Sequence, residues 1–380
     1  MKLHPIARTA LLSAITSRTL LFVLLIFGSQ LAFLQKVHSG SVWETRMEFR
    51  SERLIPELVR VSMPGDSWWY RSIALHGYGP RADAGGVPNY AFFPLYPLLV
   101  RHVAPTGEFA LDGLILSNVA FAVALVLLGF LGLRAGLSED EAQRAILFLA
   151  FFPTSYFCSM PLTESLFLML SLASLLAGYS GKWGVASAFG ALAALTRLAG
   201  GLLLLPLAIL FYRQERRIRA KCAWFLLIPA ATSSFIFYLY RLTGNWRAFL
   251  VAQEDWGRSP GWFWTPLVNY VINPAKASEP WNFIAMNFAF ALFLLVAGIA
   301  LLLRKKWELG AYALVSLLLP LSTGSLQSLA RYAVVVFPLF LWMGMMTRRP
   351  VLERIVFAVL VTLFGWLVAM FTLRVDFALA

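Results

Sequence analysis

Long apolar runs broken by short polar or basic joints make up most of the chain. Segments near 19–35, 110–133, 142–158, 161–180, 184–197, 199–212, 222–241, 283–303, 309–322, 331–347 and 351–373 are measured against the roughly 20 apolar residues that cross a bilayer core as a helix. Several are short, or joined by tight breaks such as "FFPTSYFCSMP" at 151–161. The pattern predicts an all-α, polytopic membrane protein of about 11 transmembrane helices. With no internal repeat, low-complexity tract or separable soluble stretch, it also predicts one membrane-embedded unit over 1–380.

Two water-facing stretches interrupt this regularity. Residues 36–90 hold the mixed-charge helical pattern "VWETRMEFRSERLIPELVR" and then "GDSWWYRSIALHGYG" at 65–79, while residues 242–282 are rich in Trp and polar groups. Lys and Arg in short loops mark the cytoplasmic side. The densest cluster is "RQERRIRAK" at 213–221, followed by "RKK" at 304–306 and "RRP" at 348–350 with Arg354; Arg8 and Arg18 precede the first apolar run. These place the N-terminus inside, the C-terminus outside and both long stretches on the outer face. The arginines of 36–90 are interleaved with acids, and long loops are weakly bound by the rule. "NYAFFPLYPLLVR" at 89–101 carries two prolines and is read as lying at the outer interface or re-entering, so the first outer loop holds short interfacial helices.

Composition agrees. Charged residues are 13% of the chain, against roughly 25% in a soluble domain, and mean hydropathy is +0.72. A net charge of +13 fits cationic cytoplasmic loops beside anionic lipid headgroups. No basic tail or aromatic-basic platform points to nucleic acid. Two cysteines, Cys158 and Cys222, and four scattered histidines offer no metal-ligand spacing. The basic start and apolar run of the N-terminus resemble a signal peptide but lack a small-x-small cleavage site, so an uncleaved first helix is expected.

Few polar residues remain to carry chemistry. Asp66 follows a Pro64-Gly65 break, where it could cap a short helix or stand at a cavity mouth as a general base. In that helix Trp69 and Ile73 are four apart and could rest on the membrane. Glu164, in "SMPLTESLFLML", suits a helix dipole as a first-turn acid, yet a carboxylate beside a spanning segment is costly unless paired or functional. Arg197, in "AALTRLAGG", and Arg331, in "LARYAVVVFPLF", could snorkel to headgroups or grip phosphate through the guanidinium fork. His76 and His102 fit an interface. Trp and Tyr of the outer loops fit an aromatic belt or a sugar platform. The predicted path puts Asp66, Glu164, Arg197 and Arg331 on one face. A base beside cations that hold phosphate suits sugar transfer from a lipid phosphate: the leaving group is already good, so the second carboxyl that glycosidases use is not needed.

"DSWWYRSIALHGY" followed by "YAFFPLYPLLVR" resembles the PIG-V family of mannosyltransferases, within the GT-C glycosyltransferase superfamily. "FFPTSYFCSMPLTESLF" at 151–167, "ALTRLAGG" at 194–201 and "RYAVVVFPLF" at 331–340 are similar to the family in the same order. Gly65 departs from the Trp the family usually carries before the acid. The resemblance implies a polytopic glycosyltransferase with its active site on the extracytoplasmic side, in a compact chain more like a bacterial, inner-membrane member. It implies a polyprenyl-phosphate sugar donor, often mannose, and a lipid or glycan acceptor. It implies Asp66 as catalytic base and Arg331, Tyr332, Arg197 and Glu164 as substrate-binding, with Trp69, Tyr70, His76 and Tyr78 around the same motif. No cofactor is expected, and a divalent metal shared by Asp66 and Glu164 is left open. The rival reading is a lipid or solute transporter or flippase, which predicts inverted repeats and mid-membrane polar residues.

Overall fold

The structure, a computed structural model, describes residues 3–34, 61–81, 86–103, 105–217, 220–256, 258, 260–274 and 284–373. The mixed-charge pattern at 42–60 lies outside them. The described residues contain no strand, only an isolated antiparallel bridge between Pro80 and Pro88. The helices are α1 (Pro5–Leu34), α2 (Gly65–His76), α3 (Leu95–Val103), α4 (Phe109–Arg134), α5 (Glu139–Ala150), α6 (Glu164–Tyr179), α7 (Trp183–Ala194), α8 (Leu204–Glu215), α9 (Leu227–Thr243), α10 (Ala248–Glu254), α11 (Thr265–Ile272), α12 (Ile284–Leu303), α13 (Trp307–Leu321), α14 (Leu329–Ala333), α15 (Pro338–Met346) and α16 (Pro350–Thr372). Tight 3₁₀ turns at Ser155–Ser159, Leu198–Leu203 and Ala220–Leu226 join or extend them.

Among the described residues, six stretches are long and apolar enough to cross a membrane: Pro5–Ser29, Phe109–Arg134, Leu198–Glu215, Ala220–Thr243, Ile284–Leu303 and Pro350–Thr372. The chain is an integral membrane protein. Helices α6, α7 and α13 are apolar but shorter. The run at 142–158 divides into α5 and a 3₁₀ turn, and the run at 331–347 into α14 and α15. Proline explains both breaks: Pro153 and Pro338 have no N–H to donate to the preceding turn. At nine residues, α3 is about 14 Å long and does not span.

One large apolar cluster joins residues from α1 through α16. Helices α4, α6 and α7 pack in sequence, α1 lies against α4, α5 and α16, and α12 pairs with α13. The last contact depends on small residues: a Cβ on Gly310 would stand 2.8 Å from the carbonyl oxygen of Gly298. Such close approach is how helices associate where lipid removes the hydrophobic drive.

The polar residues sort to two ends. Helix α6 begins at Glu164 and ends at Tyr179, whose hydroxyl donates to Glu308; Arg213 holds the same carboxylate at 2.5 Å. At that end too, Arg348 donates to Glu141 at 2.7 Å, joining the segment after α15 to the start of α5. The basic joints of the sequence therefore gather at one end, opposite Glu164.

The start of the chain differs from expectation. The first helix begins at Pro5 rather than near residue 19, so Arg8 and Arg18 lie inside it. Arg18 is buried. Its Nη1 donates to the Ser155 carbonyl at 2.8 Å and Ser159 Oγ at 3.0 Å, and its Nη2 to the Ala150 carbonyl at 2.8 Å and Ser155 Oγ at 3.0 Å. Ala150 ends α5, whose last carbonyls have no intrahelical donors and carry partial negative charge. A guanidinium 4.6 Å over the Phe121 ring completes the fit. Saturated donors and a helix C-terminus let a cation sit inside an apolar helix bundle. Arg18→Leu should remove these four buried hydrogen bonds and cost about 3 kcal/mol or more. Thermal unfolding in detergent checks this: a midpoint well below wild type is expected, with Arg18→Lys between the two, and an unchanged midpoint would contradict it.

Candidate active site

The opening motif is organised by its second half. Pro64 occupies the N-cap of α2 and has no side-chain cap bond, so Asp66 stands inside the first turn rather than capping it. Gly77 ends the helix at φ 79°, a region that favours glycine. Asn89 then clasps the turn, donating to the Gly77 carbonyl at 3.0 Å and accepting from Gly79 N–H at 3.0 Å. "AFFP" packs under the helix: Phe92 stacks on Trp69 at 5.6 Å and meets the edge of Tyr70 at 5.2 Å. Trp69 and Ile73 are buried in the protein, not laid on the membrane. Their partners are the aromatic rings that the second motif supplies.

Three other elements bring charge to this place. The turn bearing Arg197 doubles back so tightly that a Cβ on Gly200 would stand 2.3 Å from Ala194 N, and Leu95 N–H donates to the Leu195 carbonyl at 3.0 Å. Glu164 opens α6 after the "SMPLT" bend. Arg331 sits on the five-residue α14, entered through Ser328 at φ 60°, a left-handed conformation that costs about 1 kcal/mol for a side chain with a Cβ. Asn287 Oδ1 accepts from Ala330 N–H at 2.8 Å and Thr154 Oγ1 donates to the Ala330 carbonyl at 2.9 Å, holding this turn from both sides.

The result is a chain of ion pairs from the interior outward. Arg197 Nη1 donates to Glu164 Oε1 at 2.8 Å, Arg331 Nε donates to the same oxygen at 2.6 Å, and Arg331 Nη1 donates to Asp66 Oδ2 at 2.6 Å. The Glu164 side chain is 0% exposed, Arg331 7%, Arg197 17% and Asp66 30%. Asp66 is thus the wettest member of the chain. Phe157 backs Arg331 at 5.1 Å, and the Tyr332 ring lies 5.2 Å from the Arg197 guanidinium carbon. Coulomb attraction in such a dry setting exceeds that of a surface pair, and one carboxylate between two guanidinium groups meets the requirement that a buried charge be paired.

Not every residue expected at the site reaches it. His76 is exposed at the far end of α2, and His102 is exposed on α3. Tyr78 donates to the Phe92 carbonyl at 2.8 Å and packs on Phe235 and Tyr238. Trp69 and Tyr70 lie beneath Asp66, with Tyr70 Oη 3.5 Å from Thr163 Oγ1. Burial pushes the phenols of Tyr70 and Tyr78 well above their ordinary value, so both remain neutral hydroxyls. Cys158 and Cys222 are free.

Two residues were missed in the sequence. Arg258 Nη2 donates to Tyr332 Oη at 2.6 Å and Nη1 to Gln253 Oε1 at 2.9 Å. Trp256 meets Trp69 edge-on at 5.4 Å and Phe92 at 5.8 Å. Both lie in the second long polar stretch, whose Trp content was visible, but nothing local marks which of its charges turns inward.

Among the described residues no group of three or more His, Cys, Asp or Glu stands together as a metal site. Asp66 and Glu164 both contact Arg331, whose positive charge lies between them.

No protein-family model matches the chain, and no curated protein matches it. Structural comparison finds ArnT from Cupriavidus metallidurans bound to undecaprenyl phosphate, at 14% identity and a TM-score of 0.47, covering 86% of this chain and 60% of that one. It also finds the Archaeoglobus fulgidus oligosaccharyltransferase in complex with Zn and sulfate, at 13% identity and a TM-score of 0.43, covering 94% of this chain and 52% of that one. The same oligosaccharyltransferase tethered to an acceptor peptide gives 11% identity and a TM-score of 0.43. The chain therefore spans between about half and three fifths of the length of these proteins.

Coupling within the ion chain is measurable. Glu164→Gln should leave two guanidinium groups without their shared counter-charge and lower stability by roughly 3 kcal/mol. Adding Arg197→Gln should cost less than the sum of the two single changes, since contacting charges are not additive. Thermal unfolding of the double-mutant cycle reads this, and strictly additive losses would contradict the shared carboxylate.

Proposed function

We propose that this chain is a membrane glycosyltransferase of GT-C type, similar to the PIG-V mannosyltransferases, that moves a sugar from a polyprenyl-phosphate donor to a hydroxyl of a lipid or glycan acceptor. The observation that carries this reading is the Asp66–Arg331–Glu164–Arg197 chain, a half-buried carboxylate backed by cations at one end of a helical membrane bundle. The motif resemblance adds mannose as the sugar and a bacterial inner membrane with the site on its extracytoplasmic face. The same polar clustering argues against a transporter, which would place such groups near the membrane midplane.

In this mechanism Asp66 accepts the proton of the acceptor hydroxyl as that oxygen attacks C1 of the donor sugar. The bond from C1 to the phosphate oxygen breaks, its electron pair leaves with the polyprenyl phosphate, and the configuration at C1 inverts. Arg331 and Arg197 offset the charge that grows on the leaving phosphate, a role for preorganised cations in a dry site. Asp66 Oδ2 is engaged by Arg331 in this structure, and release of that contact frees this oxygen to take the proton. A phosphate that reaches Arg331 competes for Nη1 with Asp66, the more exposed partner, whereas dry Glu164 keeps its hold on Nε. Donor binding then precedes proton transfer.

The test is transfer from radiolabelled polyprenyl-phosphate mannose in membranes, with identification of the product. Asp66→Asn should lower turnover at least about a hundredfold, the lower range for a lost general base, with wild-type yield and melting. Chelator should leave wild-type activity unchanged. Near wild-type turnover of Asp66→Asn would overturn the role of Asp66. Activity lost to chelator and restored by manganese or magnesium would replace the metal-free route.

A further inference from the structure

Among the described residues, Arg258 is held by neutral groups. Among the described residues its hydrogen-bond partners are the Tyr332 hydroxyl and the Gln253 amide oxygen, both neutral. The pairs deeper in the site are matched: Glu164 and Asp66 stand against Arg197 and Arg331. Arg258 is half-buried, and among the described residues it has no carboxylate partner. A cation that is partly desolvated and held by neutral dipoles attracts an anion more strongly than one already paired.

Its placement is also constrained. Gln253, on α10, holds Arg258 through its side-chain oxygen and through its carbonyl, which accepts from Arg258 N–H at 3.2 Å. The Gln253 amide reaches the Ala91 carbonyl at 3.5 Å, beside the rings of the second motif. Trp256, two residues before Arg258, lies against Trp69 and Phe92. These contacts tie Arg258 to the segment beneath Asp66, and its Nη2 ends on the residue that follows Arg331 in the chain.

We propose that Arg258 is a third phosphate-binding residue of the site, resting on Tyr332 and passing its Nη2 to the phosphodiester monoanion of the donor when the donor binds. This rests on the glycosyltransferase reading above and adds a residue from the second polar stretch to it. Arg258 meets the donor phosphate before reaction, so it contributes to donor affinity, and because charge grows on that phosphate as its bond to C1 breaks, it contributes to turnover as well.

The experiment uses purified full-length protein in phosphatidylcholine nanodiscs, with decaprenyl phosphate, decaprenol and phosphatidylglycerol as probes and tryptophan fluorescence as readout, followed by KM and kcat with polyprenyl-phosphate mannose. Wild type should prefer decaprenyl phosphate to decaprenol. Arg258→Ala should weaken that binding and raise KM by about tenfold or more, as loss of a charge-assisted hydrogen bond does, with kcat lowered as well. Arg258→Lys, which keeps the charge, should recover part of the loss and also guards against a folding defect. Arg247→Ala, an exposed arginine of the same stretch paired only with exposed Glu254, should bind like wild type. If wild type selects the phosphate and Arg258→Ala binds it equally well, the role of Arg258 is overturned while the functional reading stands. If phosphatidylglycerol competes as well as decaprenyl phosphate, Arg258 holds a bulk-lipid headgroup and the proposal fails. If wild type does not distinguish phosphate from alcohol, the functional reading itself falls.

Discussion

One buried carboxylate oxygen, Oε1 of Glu164, is shared by Arg331 and Arg197, and the rest of the site is arranged around that sharing. Neither arginine could stay in so dry a place alone, because an unpaired charge there would cost several kcal/mol. With Glu164 between them, both are fixed in position. Arg331 then has both Nη groups left over, and Nη1 is directed toward the mouth, where Asp66 accepts from it. Burial falls off along this chain from Glu164 to Asp66, so the inner pair acts as the anchor and the outer pair as the exchangeable contact.

Backbone constraints hold the four residues in register. Gly200 allows the turn that carries Arg197, Ser328 adopts a left-handed conformation to launch the turn that carries Arg331, and the "SMPLT" bend starts α6 at Glu164. Each sits at an end or break of a helix, where backbone groups escape the regular ladder and side chains can be aimed. The breaks that make the apolar segments hard to count are thus the places where polar function is built. Arg18 serves the neighbouring break from below: by holding Ser155 and Ser159 it fixes the 3₁₀ turn that places Phe157 behind Arg331.

Much of this was legible in the sequence, and the reasons differ by residue. The helical, membrane-embedded character follows from run length and charge depletion, which are direct physical requirements of a bilayer. Loop parity was enough to group Asp66, Glu164, Arg197 and Arg331, because each lies at a predicted helix end. Parity says nothing about depth or direction, however. Arg18 was assigned to a flank because a basic residue interrupts an apolar run, and only the carbonyls of a helix distant in sequence explain its burial. Trp69 and Ile73 were read toward lipid because their spacing defines a face but not what covers it. Arg258 was one charge among several in a polar stretch, and its inward turn depends on Gln253 and Tyr332, contacts that no local pattern encodes.

The central claim is that phosphate and Asp66 exchange on Arg331 while Glu164 holds the guanidinium in place. A cryo-electron microscopy structure of the protein with bound polyprenyl phosphate measures this directly. The expected map places a phosphate oxygen within hydrogen-bond distance of the Arg331 Nη groups, with Asp66 Oδ2 withdrawn and the Glu164–Arg331 contact kept. A phosphate bound elsewhere, with Asp66 still paired to Arg331, would contradict it.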